Sequence, residues 1–277
     1  MAGLNASLGY FLACVTFAAS VRALLKSCSR LSFILEFASS FMLVACCLEV
    51  QTIVEVGEWA GGLGPDVTVT ILFVVLLTHG VICSSAAGNP NVSLMRYLQM
   101  ETNTLPTLLA VASQFAGAHA ALMAAGYYWS LELTDMHMIK NLMARECSSS
   151  LLVSLVQGFF TECVCALVFH MIHLNLRHRS VFIRIPLIAV LLTFLSHTAR
   201  GYTSGFVNPG LAYGVTFHCS GFTFAEYALV YWLGSFIGMT VALLLYMGHI
   251  PRIFAKNLLY VQKTRFKVPR GDKKKSS

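Results

Sequence analysis

Charge is what this chain has least of: Asp, Glu, Lys and Arg make up 11% of its 277 residues, where soluble domains carry about 25%. That scarcity excludes an ordinary soluble domain, and the 57% of hydrophobic residues marks a polytopic membrane protein. No basic surface interleaved with aromatics exists, so the formal charge of +7 does not point to nucleic acid. No convergent set of His, Cys or carboxylate residues appears; His170 and His173 sit three apart with no further ligand, so neither a metal, a cofactor nor an enzyme is implied. Residues 1–7 carry no positive charge and so lack the n-region of a cleaved signal peptide. The nine cysteines are no disulfide framework, because Cys46, Cys47, Cys83, Cys163 and Cys165 fall inside apolar runs.

What is abundant is apolar sequence in long runs, at 8–25, 31–53, 67–83, 105–128, 151–174, 181–198 and 224–247. Most are long enough to span a hydrocarbon core of about 30 Å at about 1.5 Å per residue. Cytoplasmic loops are enriched in Lys and Arg, and these alone are counted. Arg22, Lys26 and Arg30 put the first connection in the cytosol, as do Arg96 after the third run and Arg177, Arg179 and Arg184 after the fifth. The loops around Glu55, 132–146 and 201–224 read as lumenal, and the tail, basic from Arg252 to Lys275, as cytosolic. Residues 1–30 then form a hydrophobic helix with a basic connection, and 8–25 is either a seventh span or an interfacial helix. Residues 31–250 form the main domain and 251–277 its basic tail.

The main domain repeats itself, over 31–128 and 151–247. Each copy has an intramembrane acid, Glu36 or Glu162, then a second span, then an Asn-Pro pair, Asn89-Pro90 or Asn208-Pro209. Each copy closes on a span rich in small residues, Ala116-Gly117-Ala118 or Gly234 and Gly238, where helix backbones approach closely. Asparagine is a strong N-cap and proline suits the first helical position. The short apolar runs after each pair, in CSSAAGNPNVSLMRYL and GYTSGFVNPGLAYGVTF, suit half-helices that enter the membrane without crossing it. Three spans per copy invert the second copy, so the half-helices enter from opposite faces and their N-termini meet near the midplane. Two positive dipole ends at one point of a narrow pathway disfavour cations and protons, while Asn89 and Asn208 offer amide donors to a passing water or small polyol. Glu36 and Glu162 must be paired inside a membrane; they either relay protons or, the preferred reading, accept backbone N–H groups of the non-helical strand before each half-helix.

In register together, Glu36-Phe37, the two Asn-Pro pairs, Gln114-Phe115-Ala116-Gly117-Ala118, Glu162 and Tyr231-Trp232-Leu233-Gly234 resemble the aquaporins, or major intrinsic proteins, over nearly all of 31–247. The resemblance implies an all-α membrane fold, a right-handed bundle of six transmembrane helices and two re-entrant half-helices built as an inverted repeat, here with an extra N-terminal helix. It also implies a water channel in the lipid bilayer and a homotetramer in which each subunit holds its own pore. The family's Asn-Pro-Ala appears as Asn89-Pro90-Asn91 and Asn208-Pro209-Gly210, and Leu211 stands where the family has arginine. These departures, with Cys219, are similar to the unorthodox, intracellular super-aquaporin branch. Leucine offers none of the five donors of arginine, so Leu211, His197 and Arg200 become the filter candidates. His197 is either a filter group or a satisfied histidine at a span end, and Arg200 either charges the lumenal mouth or is solvated.

The expected function is an intracellular channel for water and, more widely, small neutral solutes such as glycerol or hydrogen peroxide. The rival is an endoplasmic-reticulum membrane protein that keeps the channel fold but acts structurally, by binding partners. Lys274 and Lys275, fourth and third from the carboxyl end, match the dilysine signal that coat proteins read to return membrane proteins to the endoplasmic reticulum. Cys147 and Cys219 alone lie in lumenal connections, where they are either buried thiols or a disulfide, the latter requiring a Cα separation below about 7 Å. Asn5 and Asn91 head glycosylation sequons, neither expected to be used.

Overall fold

The structure, a computed structural model, describes residues 2–25, 31–57, 65–143 and 147–248. The described residues are helical and joined by short connections. The helices are α1 (Ala2–Leu25), α2 (Ser32–Gly57), α3 (Pro65–Ile82), α4 (Pro90–Leu98), α5 (Thr104–Ser130), α6 (Asp135–Met143), α7 (Leu155–Leu176), α8 (Val181–Thr198) and α9 (Pro209–Thr216). The last span starts as α10 (Phe224–Tyr227), passes through a π-helical stretch (Ala228–Gly234) and continues as α11 (Ser235–Tyr246). Among the described residues, six helices are long and apolar enough to cross a membrane, while the apolar part of α3, Val67–Ile82, is shorter. Phe160, Phe194, Leu105 and Leu108 are exposed on the outside of the bundle, a surface that suits lipid and not water.

Local chemistry sets several boundaries. The fifth apolar run begins at Leu151, yet its helix starts at Leu155, because the Ser154 hydroxyl caps it by accepting from the Gln157 N–H. The residues before the cap turn aside, and the Leu152 N–H donates to the Tyr202 carbonyl at 2.9 Å. Within 132–146, expected as a loop, Asp135 opens the short helix α6, an acid in the first turn suiting the helix dipole.

Two helix pairs form the frame, α2 against α5 and α7 against α11. Gly117 makes the first approach possible: a Cβ there would lie 2.3 Å from the Phe37 carbonyl oxygen. Gly238 does the same for the second, its Cβ falling 2.1 Å from the Cys163 carbonyl oxygen. Phe37 follows Glu36 and Cys163 follows Glu162, so the crossings occupy matching places in the two copies of the repeat. α1 lies alongside this frame. Its Ser7 hydroxyl donates to Glu49, toward the end of α2, at 2.5 Å, and its Arg22 donates to the Val81 and Ile82 carbonyls at the end of α3, at 2.8 and 2.7 Å. The helix therefore runs along the depth of the bundle.

Candidate functional site: a pathway between two half-helices

The site is built on two buried carboxylates. Glu36 accepts the Ala87 and Gly88 N–H groups at 2.9 Å and the Gln114 amide at 2.7 Å. Glu162 accepts the Phe206 and Val207 N–H groups at 3.1 and 3.0 Å and the Thr203 hydroxyl at 2.7 Å. The strands ahead of the half-helices cannot make helical hydrogen bonds, and the carboxylates supply acceptors that lipid would not. Each strand ends in a left-handed residue, Gly88 at φ 58° and Val207 at φ 48°. Gly88 has no room for a side chain, since a Cβ would sit 2.5 Å from Ser39 Oγ. A β-branched residue in that conformation costs about 1–3 kcal/mol; the bond from its N–H to Glu162 and complete burial of its side chain hold Val207 there.

Beyond these turns the half-helices start head to head. Asn89 Oδ1 accepts the Asn91 N–H at 2.9 Å, and Asn208 Oδ1 accepts those of Gly210 and Leu211 at 3.0 and 3.2 Å. Pro90 and Pro209 fill the first helical positions, where the missing N–H costs nothing. Each asparagine amide gives one proton to the opposite strand, Asn89 to the Val207 carbonyl and Asn208 to the Gly88 carbonyl. An amide carries two protons, so each asparagine keeps one for the cavity it borders.

That cavity, about 840 Å³, runs the length of the bundle past Asn89, Asn208 and the strand residues Ala87 and Val207. Leu211, His197 and Arg200 line it, with Leu211 9% exposed. Asn91 does not; it is buried and donates to the Ser235 hydroxyl at 2.9 Å, at the end of the π-helical stretch, tying α4 to the last span. Gly210 also stays out of the lining, packed 3.5 Å from Pro90 Cδ as measured from a Cβ built on it. His79 lines the wall with its Nε2 3.0 Å from Ser39 Oγ, and the sequence reading missed it. His173 also reaches the cavity, whereas His170 is buried with Nδ1 2.7 Å from the Ala166 carbonyl. A third membrane acid escaped notice too: Glu49 is buried and gathers Ser7, Trp129 (3.0 Å) and His137 (2.8 Å). An acid in an apolar run was the available signal, but its partners lie far off in sequence.

One mouth is bordered by a covalent tie. Cys147 and Cys219 form a disulfide with a Cα separation of 5.0 Å. It fastens the segment of Ser148, Ser149 and Ser150, which lines the cavity, beside the end of α9; the Ser150 N–H donates to the Thr216 hydroxyl at 2.9 Å. His218 stands next to the disulfide, but sulfurs bonded to each other leave no thiolate for a metal. Lys140 of α6 pairs with Glu55 of the lining at 2.6 Å. At the other mouth Arg177 pairs with Glu101, which holds its guanidinium more firmly charged. Lys274 and Lys275 lie outside the described residues.

The arrangement offers amide donors, two converging helix N-termini and a through cavity, with no nucleophile set beside a base. The chain is similar to known proteins. The sequence profile of the major intrinsic protein family matches residues 24–246. Aquaporin-12 of Mus musculus is 43% identical over 275 residues, covering 98% of this chain and 95% of that protein. Aquaporin-11 of Homo sapiens is 28% identical over 220 residues, 79% of each. The aquaglyceroporin from Plasmodium falciparum shares the fold at a TM-score of 0.59 and 16% identity, over 81% of this chain and 98% of that one. With the profile spanning most of the chain and a close relative covering nearly all of it, this chain belongs to the major intrinsic protein family, the aquaporin membrane channels.

Proposed function

We propose that this aquaporin-family channel passes water and small neutral solutes such as glycerol or hydrogen peroxide between the lumen of the endoplasmic reticulum and the cytosol. The observation that carries the reading is the meeting of Asn89 and Asn208 on one continuous cavity, with Leu211 lining the stretch where the family's arginine stands. Without that guanidinium the filter has fewer donors and more room, and His197 and Arg200 supply its polar side. Glu36 and Glu162 act as anchors for the strands, not as proton relays, because their oxygens are occupied by backbone N–H groups.

The intracellular location rests on Lys274 and Lys275, read as a dilysine address by coat proteins on a cytosolic tail, and the homotetramer on family membership. Purified protein in liposomes, challenged separately with water and glycerol gradients in a stopped-flow, tests the permeant. Water flux with a measurable glycerol flux supports the reading. Flux of neither would favour the rival, a structural or partner-binding protein with a channel fold.

A further inference from the structure

The mouth opposite the disulfide concentrates cations. Arg96 from the last turn of α4, Arg177 at the C-cap of α7 and Arg184 near the start of α8 all line the cavity there, together with His173. All three guanidiniums lie within Coulombic reach of His173. Glu101 is the acid at this mouth, and Arg177 engages it together with the Gln99 side-chain oxygen, 3.3 Å away. Arg96 and Arg184 have no carboxylate partner among the described residues, and both are half-buried.

Like charges drawn together from three elements into a partly desolvated recess repel one another. Complementing the C-terminal dipole of α4 explains Arg96; it does not explain why α7 and α8 aim two more guanidiniums at the same recess. Planar guanidiniums are suited to phosphate oxygens, which they bind bidentately and hold with charge-assisted hydrogen bonds. We propose that this mouth is a binding site for a phosphate group, held by Arg96 and Arg184 with Arg177 at its edge, and that an occupant closes the pathway from that side. The phosphate belongs either to a soluble phosphoester or to the headgroup of an anionic phospholipid. The flux arm of the test rests on the channel reading; the binding arm does not.

The test uses the full-length protein and pyrophosphate as probe. Calorimetric titration in detergent should show binding that weakens as salt is raised. Arg96→Gln and Arg184→Gln should each weaken it about tenfold, about 1.4 kcal/mol. Arg179→Gln, an exposed arginine outside the cavity lining, should not. In phosphatidylcholine liposomes, pyrophosphate on both sides should slow water flux through wild type and leave the double variant unaffected. If phosphoinositide in the bilayer slows flux and abolishes the pyrophosphate effect, the headgroup is the source; if it changes nothing, a soluble phosphoester is. Wild type that conducts but binds no pyrophosphate and ignores phosphoinositide overturns the site. A thermally stable, disulfide-bonded double variant that binds pyrophosphate as tightly as wild type overturns it as well. Binding without any water flux keeps the site and removes the channel reading instead.

Discussion

Asn89 and Asn208 are tied crosswise: each donates a side-chain N–H to the carbonyl just before the other, at 3.2 Å to Val207 and 2.9 Å to Gly88. The two half-helices thereby hold each other at the centre of the pathway, with each asparagine oxygen turned to its own helix and one amide proton left for the cavity.

Two helix ends carry together about one positive charge at that point. Asn208→Asp places a carboxylate there and cancels it. Proton or cation flux into liposomes, followed with an internal dye, should rise by about tenfold, equivalent to about 1.4 kcal/mol off the barrier. Flux in wild type as large as in the variant would contradict the electrostatic account.

Leu211→Arg restores the family's residue on the cavity wall. Glycerol flux should fall relative to water flux, by about tenfold for about 1.4 kcal/mol of added barrier. An unchanged glycerol-to-water ratio would mean that position 211 does not face the permeant.

Glu162→Gln removes one acceptor from a carboxylate that serves three donors. A buried N–H left facing an amide NH2 costs about 1–3 kcal/mol, so the detergent-purified variant should melt several degrees lower. A melting curve identical to wild type would show that the strand before α9 does not need the charge.

The Cys147–Cys219 tie should be worth about 2–4 kcal/mol. Cys147→Ser and Cys219→Ser should melt lower by similar amounts, and the double variant no lower than either single one. Mass spectrometry that finds both thiols free in wild type would remove the tie.

Replacing Lys274 and Lys275 by Ser should move the protein to the plasma membrane, as read by surface biotinylation, while Lys273 and most of the tail's charge stay in place. Wild type already abundant at the surface would contradict the retrieval reading.

The fold was legible in the sequence where a signal is local. Helix α8 falls on the apolar run 181–198 residue for residue, and Asn-Pro marked both half-helix starts. The small residues at Gly117 and Gly238 told where backbones cross, because only glycine leaves room there. What was illegible depends on distant partners. Nothing near Asn91 indicates that its amide reaches Ser235, and nothing near Glu49 indicates His137, so the turning of Asn91 away from the cavity and the anchoring of α6 appear only in three dimensions. The arginines of the second mouth were read for topology and not as neighbours, since they come from three separate elements.

The most direct test of the central claim is osmotic shrinkage of liposomes carrying the purified protein, wild type beside Leu211→Trp, with protein-free liposomes as the baseline. The account predicts that wild type shrinks faster than the baseline and that the indole, placed on the wall of the cavity, slows it back toward the baseline. Folded, disulfide-bonded wild type that shrinks no faster than protein-free liposomes would contradict it.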